Sequence, residues 1–196
     1  MSESQFEYKP AADIGMGEFE RLRSVKREPG LVSSIAHGAA TLGLRTYLKT
    51  YHRMRIEGVE RLPVRPPFVV IANHASHLDA LVLAAALPAA ARGCVFPIAA
   101  GDVFFESIAV SAFASMFVNA LPLWRKRVTR HAMDDLRTRL TGGDCGYILF
   151  PEGARTRDGK PLPFKPGLGR LVAETNVPVV PCYLHGVYEA LPAHSK

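Results

Sequence analysis

The sequence predicts an α/β domain: a mixed, largely parallel central sheet flanked by helices, preceded by an amphipathic N-terminal helix. Three observations carry this. Short apolar runs recur at 68–72, 94–99, 117–121, 146–150 and 177–181, and such runs between turn residues are strands. Segments of helical pattern separate them, and strands alternating with helices build α/β sheets. Two of the runs, 68–72 and 146–150, end in polar clusters, and open α/β folds bind ligands at the carboxyl ends of their strands. The chain has 196 residues, 48% of them hydrophobic, which suits one domain with a substantial core and excludes a disordered chain.

Residues 1–30 are polar and of mixed charge and are expected to form a loose or weakly helical tail, punctuated by Pro29-Gly30. From 31 to 52 the pattern is helical, with Leu44, Tyr47, Leu48 and Tyr51 on one stripe. Two placements are open for this helix: covering the domain's own sheet, or lying in a membrane interface with Arg45, Lys49 and Arg53 at the headgroups. It is too weakly hydrophobic for a membrane span. The remaining domain, 53–196, begins with an alternating first strand at 54–59. Pro63, Pro66 and Pro67 then stiffen the connection into strand 68–72. A helix from Asp79 runs to about Pro88, and strand 94–99 follows. The uncharged stretch 107–124 is interrupted by Ser111, Ser115, Asn119 and Pro122. It therefore reads as a core helix at 104–116 with a strand at 117–121 behind it. A surface helix at 128–140 stops at Gly142-Gly143. After strand 146–150, Pro166-Gly167 opens a helix to about residue 175, and 177–181 is the last strand.

The net charge is +6, and it is concentrated: residues 120–170 hold eleven Lys/Arg against five Asp/Glu. That favours an anionic ligand or lipid headgroups near this segment. No nucleic-acid module is visible, and no nucleic-acid partner is expected. Cys94, Cys145 and Cys182 form neither a disulfide framework nor a metal-binding pair. Each sits in or beside an apolar stretch, where a buried thiol in a reducing cytosol is the common outcome. The start of the chain is polar and acidic, and no secretory signal is expected.

The chemistry is concentrated in two loops. The first reads Asn73-His74-Ala75-Ser76-His77-Leu78-Asp79. Histidine is the side chain that can take a proton near neutral pH, and a carboxylate on its other nitrogen fixes the tautomer and offsets the imidazolium. His74 and Asp79 are thus a candidate base and orienter, without a protein nucleophile; no G-x-S-x-G elbow occurs. An alternative is structural, because S-x-x-D at 76–79 is also a helix-capping pattern. No metal site is expected, since H-x-x-H at 74 and 77 lacks further ligands. The second loop reads Phe150-Pro151-Glu152-Gly153-Ala154-Arg155-Thr156-Arg157, with Lys165 beyond it. It offers a carboxylate, a permissive glycine and several cations.

Together, N-H-x-S-x-x-D and F-P-E-G-x-R-T resemble the glycerolipid acyltransferases, the lysophosphatidate (1-acylglycerol-3-phosphate) acyltransferase family. The resemblance covers roughly residues 50–190. It implies transfer of a fatty acyl group from an acyl thioester, acyl-CoA or acyl carrier protein, to the free hydroxyl of 1-acylglycerol 3-phosphate, with no resident cofactor. It implies His74 and Asp79 as the catalytic pair and a substrate site at Asn73, Glu152, Gly153, Arg155, Lys165 and Arg125. Arg155 is the expected phosphate ligand, because a guanidinium fork suits phosphate oxygens. Glu152 either binds a substrate hydroxyl or braces Arg155, and Asn73 supports the turn. Arg125 matches a third family block only loosely, and Ala154 stands where the family usually has threonine. The implied partners are an acyl-thioester donor, a lysophospholipid acceptor and a membrane surface, at whose cytoplasmic side the protein would be peripheral or monotopic. Members usually run on for further strands, so the chain looks short at its C-terminus. Glycerol 3-phosphate or a lyso-aminolipid as acceptor, a thioesterase, and a non-catalytic lipid-binding module are the other readings.

Overall fold

A computed structural model describes residues 13–17, 20, 21, 24, 27, 31–100, 107, 111, 112, 114, 115, 118–123, 130–143 and 145–192. The strands are Val69–Ala72 (β1), Val95–Ala100 (β2), Leu121–Leu123 (β3), Gly146–Leu149 (β4) and Val179–Cys182 (β5). They lie in the order β3-β2-β4-β1-β5, and every pairing is parallel. The helices are Leu31–Thr50 (α1), Asp79–Ala86 (α2), Arg130–Thr141 (α3), Gly167–Val172 (α4) and the short Val187–Ala190 (α5).

The apolar runs are continuous because the central strands are covered on both faces, as parallel strands require. Successive residues of β1 serve opposite cores. Val70 and Ala72 pack with Leu83 and Leu87 at α2. Val69 packs with Leu136 and Leu140 of α3 and Leu171 of α4. Tyr147 of β4 is fully buried in this second core, and its hydroxyl donates to the Leu136 carbonyl at 3.0 Å.

The strand order places the site. β1 and β4 are neighbours, yet the chain leaves them in opposite directions, from β1 across to β2 and from β4 across to β5. Such a switch point opens a crevice beyond the carboxyl ends of the two strands. The two polar loops foreseen in the sequence leave these two strands.

Several elements differ from expectation. Residues 54–59 alternate in burial but form no strand; the sheet edge nearest in the chain is closed by β5 instead, and a 3₁₀ turn, Val59–Arg61, leads into the prolines. The strand expected at 117–121 starts only at Leu121. Asn119 holds a left-handed backbone (φ 55°), so the chain turns there before it can pair. Of the helix expected at 104–116, residue 107 is a bend and residues 111, 112, 114 and 115 are helical, the others lying outside the described residues. α4 ends at Val172, where Arg137 donates to the carbonyls of Arg170 and Ala173. Cys94 is exposed in the turn before β2, whereas Cys145 is buried.

The N-terminal region is docked where it is described. Asp13 and Arg27 are buried, and Arg21 meets Asp13 at 3.3 Å. Arg27 donates to Asn119 Oδ1 and to the Ala120 carbonyl, both at 3.1 Å. Burial, and then the nearby Arg139, push the Arg27 guanidinium down to about 10 against the opposing pull of Asp13. Polar groups freed by the Asn119 turn supply the partners that hold this segment in place. α1 packs on α2, burying His37, Thr41 and Leu48. Tyr47 and Tyr51, expected on the same stripe as Leu48, stay exposed and stack on each other at 5.3 Å. Among the described residues no helix is long and apolar enough to cross a membrane.

Gly146 begins β4 between β1 and β2. A Cβ there would lie 2.7 Å from the Phe68 carbonyl oxygen and 3.2 Å from Val95 Cγ2. Gly146→Ala must spread the strands and is expected to destabilise the domain by about 1–3 kcal/mol, read as a lower urea midpoint with an unchanged slope.

Candidate active site

β1 ends at Ala72 and delivers His74 into the crevice. The His74 Nδ1 lies 2.8 Å from Asp79 Oδ2. Because the carboxylate can only accept, Nδ1 carries the proton and Nε2, across the ring, keeps its lone pair. The Asp79 side chain is fully buried and that of His74 is 22% exposed. Asp79 Oδ2 also accepts the backbone N–H groups of Ala75 and Ser76, at 2.7 and 2.8 Å. Asp79 Oδ1 is buried and finds no partner among the described residues.

The structural alternative for this turn is realised in altered form. Asp79 orders the turn by accepting amides that precede it. Ser76 Oγ accepts from the Leu78 N–H at 3.0 Å and donates to the Leu191 carbonyl at 2.7 Å, which ties the turn to the segment after α5.

β4 delivers the second loop. Glu152 is 2% exposed. Its Oε1 accepts the His74 N–H at 2.9 Å and its Oε2 accepts the Leu162 N–H at 2.8 Å. The Thr156 N–H returns to the His74 carbonyl at 2.9 Å. Glu152 therefore neither faces the crevice nor braces Arg155; two backbone donors occupy its oxygens, and it clamps the two loops together. Asn73 also turns away from the crevice. Its amide exchanges two hydrogen bonds with the Leu184 backbone, at 2.8 and 3.0 Å, extending the β1–β5 contact past the strand ends.

The crevice opens into a cavity of about 950 Å³. His74, His77, Arg155, Arg157 and Lys165 line its polar part, and no Asp or Glu does among the described residues. Its apolar part runs between the sheet and the α3/α4 face, past Ile98, Leu123, Met133, Leu149 and Leu168. Arg155, half-buried, hydrogen-bonds to the His77 ring. Gly153 adopts φ 70°, and a Cβ on it would lie 2.8 Å from Lys165 Cδ, so the lysine stem crosses the loop at the glycine. The Lys165 N–H bonds to the Pro151 carbonyl at 2.8 Å. The Thr156 hydroxyl and the Lys160 N–H hold the exposed Asp158 carboxyl below its usual range. Arg125 lies outside the described residues.

Two side chains in this site had been given other parts or none. His77, considered in the sequence only as half of an unsupported H-x-x-H pair, lines the cavity beside Arg155. Phe150 stacks on the His74 ring. His77 shares its short loop with His74, which is a usable signal. Phe150 gives none until β1 and β4 are known to be neighbours.

Comparison with known proteins follows the same lines. The acyltransferase family profile matches residues 53–185. The chain belongs to the acyltransferase family. Human 1-acyl-sn-glycerol-3-phosphate acyltransferase alpha is 33% identical over 131 residues, 66% of this chain and 44% of its own. A chloroplast 1-acyl-sn-glycerol-3-phosphate acyltransferase of Brassica napus is 30% identical over 164 residues, 82% of this chain and 45% of its own. This acyltransferase-family chain thus spans less than half the length of these curated relatives. The crystal structure of the 1-acyl-sn-glycerophosphate acyltransferase PlsC from Thermotoga maritima shares the fold, with a TM-score of 0.59 at 24% identity, over 82% of this chain and 64% of that one.

Glutamine at 152 keeps the shape but offers one acceptor oxygen to two buried N–H donors. Glu152→Gln is expected to cost about 1–3 kcal/mol of stability and to speed hydrogen exchange at the His74 and Leu162 amides, measured by two-dimensional NMR.

Proposed function

We propose that this protein transfers a fatty acyl group from an acyl thioester to the free hydroxyl of 1-acylglycerol 3-phosphate, giving phosphatidate. One observation carries the proposal: an oriented imidazole and the Arg155 guanidinium line the same cavity, whose other part is apolar. The acceptor's phosphate meets Arg155, with Lys165 and Arg157 adding positive charge, and its hydroxyl lies at His74 Nε2. His74 takes the hydroxyl proton as the oxygen attacks the thioester carbonyl, and Asp79 offsets the imidazolium that forms. Collapse of the tetrahedral intermediate expels the thiolate, which recovers the proton from His74. No covalent enzyme intermediate and no resident cofactor enter these steps; acyl-CoA or acyl carrier protein serves as co-substrate. The apolar part of the cavity takes a fatty chain.

A membrane surface is the proposed setting, at its cytoplasmic side, with the protein peripheral or monotopic. Ile35 and Leu42, seven residues apart on one face of α1, are 65% and 66% exposed. Such a face on a helix that is otherwise docked to α2 suits the headgroup boundary.

The test is a panel of acyl-CoA and acyl carrier protein donors against 1-acylglycerol 3-phosphate, glycerol 3-phosphate and a lyso-aminolipid. Acyl transfer to the first acceptor is expected, with His74→Ala lowering kcat by about 10²–10⁴. Thiol release independent of any acceptor would instead make the protein a thioesterase, and no turnover with any pair would leave a lipid-binding module.

Arg155→Ala separates binding from chemistry. A charge-assisted phosphate contact is worth about 1.5–3 kcal/mol, so the acceptor KM is expected to rise about 10- to 150-fold, with a smaller change in the donor KM. An unchanged acceptor KM in steady-state assays sinks the assignment of Arg155 to the phosphate.

A further inference from the structure

Phe150 follows β4 and opens the second polar loop. Its ring lies flat on the His74 imidazole, with centroids 4.0 Å apart and planes 15° from parallel. Two restraints thus act on the imidazole from different directions. Asp79 holds Nδ1 at 2.8 Å, but a single hydrogen bond still lets the ring swing about the N–H···O axis. A flat group against the ring face removes that freedom. Phe150 packs in turn on the core that contains Val70, Ala72 and Leu83, so the restraint is anchored in the body of the domain.

We propose that Phe150 is a positioning residue for the base. It holds the His74 ring in the plane in which Nε2 meets the acceptor hydroxyl, and its π face stabilises the imidazolium while the proton is in transit. An aromatic face attracts a cation through its quadrupole. The neutral ring gains less from the same contact than the charged one does. The contact is therefore stronger at the transition state than before it, which is the condition for accelerating the chemical step. It acts alongside the charges near the ring: Asp79 on α2, Glu152 at the His74 amide, and Arg155, Arg157 and Lys165 with His77 around the cavity. This role rests on the acyl-transfer reading above, and it assigns Phe150 no contact with substrate.

The experiment compares the whole protein with Phe150→Leu, Phe150→Tyr and Phe150→Trp. Leucine keeps an apolar group of similar reach but has neither plane nor π face; tyrosine and tryptophan keep both. Two quantities are read: kcat and KM with acyl-CoA and 1-acylglycerol 3-phosphate, and the His74 Nδ1–H resonance of ¹⁵N-histidine-labelled protein, assigned by its loss in His74→Ala. Phe150→Leu is expected to lower kcat about ten- to a hundredfold with little change in either KM, and to broaden or abolish the Nδ1–H signal. The two aromatic variants are expected to retain most of kcat and the sharp signal. The role is overturned if Phe150→Leu keeps the wild-type kcat or the sharp resonance. It is equally overturned if the aromatic variants, folded by circular dichroism, lose kcat as leucine does. Should Phe150→Leu not fold, the aromatic variants and a Phe150→Met variant carry the same comparison. Absence of acyl transfer by the wild type sinks the reaction assigned above and with it the catalytic half of this role, while the resonance still decides the ring's restraint.

Discussion

The buried carboxylate of Glu152 is the constraint on which the site depends. It is 2% exposed and spends both oxygens on backbone amides, one of them from His74. A buried charge is tolerated only where donors compensate it, so the loop after β4 can close only if the loop after β1 presents its amide there. The Thr156 amide on the His74 carbonyl completes a two-point tie. Two segments 78 residues apart in the chain are thereby held as one piece. The proton transfer proposed for His74 depends on placement to within about an ångström, and loops at the ends of separate strands would not otherwise hold it.

From that tie the division of labour follows. One side of the His74 ring is restrained by Asp79, itself held by two backbone amides, and one face is covered by Phe150. The second loop, fixed by Glu152, carries Arg155 and sets Lys165 against Gly153. The cations gather where the cavity meets the loops. Apolar side chains line the rest of it, between the sheet and the α3/α4 face. Polar and apolar parts therefore meet close to His74. An amphiphile entering such a cavity has one orientation that buries its chain without burying its charge, because an unpaired charge in the apolar part is penalised far more than the chain is rewarded.

Much of this was legible in the sequence, for reasons that differ by residue. The strands at 68–72 and 146–150 and the polar loops after them are local signals, and the His74–Asp79 pair lies within a single turn. Long-range partnership is not a local signal. Nothing in the spacing tells that β1 and β4 are neighbours, so Glu152 read as a ligand for a substrate hydroxyl or a brace for Arg155, and its oxygens lie on the amides of His74 and Leu162. Asn73 read as a turn support, yet its amide serves Leu184, 111 residues away. The stacking of Phe150 on His74 was hidden for the same reason. The stripe on α1 selected Leu48 correctly but also Tyr47 and Tyr51, because periodicity locates a face and not its edge; those rings lie beyond the contact with α2 and cover each other instead.

On the acyl transfer proposed above, the tie between the loops also bears on which acceptor fits. In 1-acylglycerol 3-phosphate the free hydroxyl and the phosphate are carried on adjacent carbons, so the distance between reacting oxygen and anion is set by a few covalent bonds. A base and an anion ligand on independently mobile loops would have to be ordered by the substrate itself, at a cost in binding energy for each residue immobilised. Here the backbone is ordered beforehand by a carboxylate that lies outside the cavity. Substrate binding energy is then free to act on the reacting hydroxyl. A buried glutamate between the loops is thus worth more to such a reaction than one placed in the cavity, where beside the acceptor's phosphate it would add one anion to another.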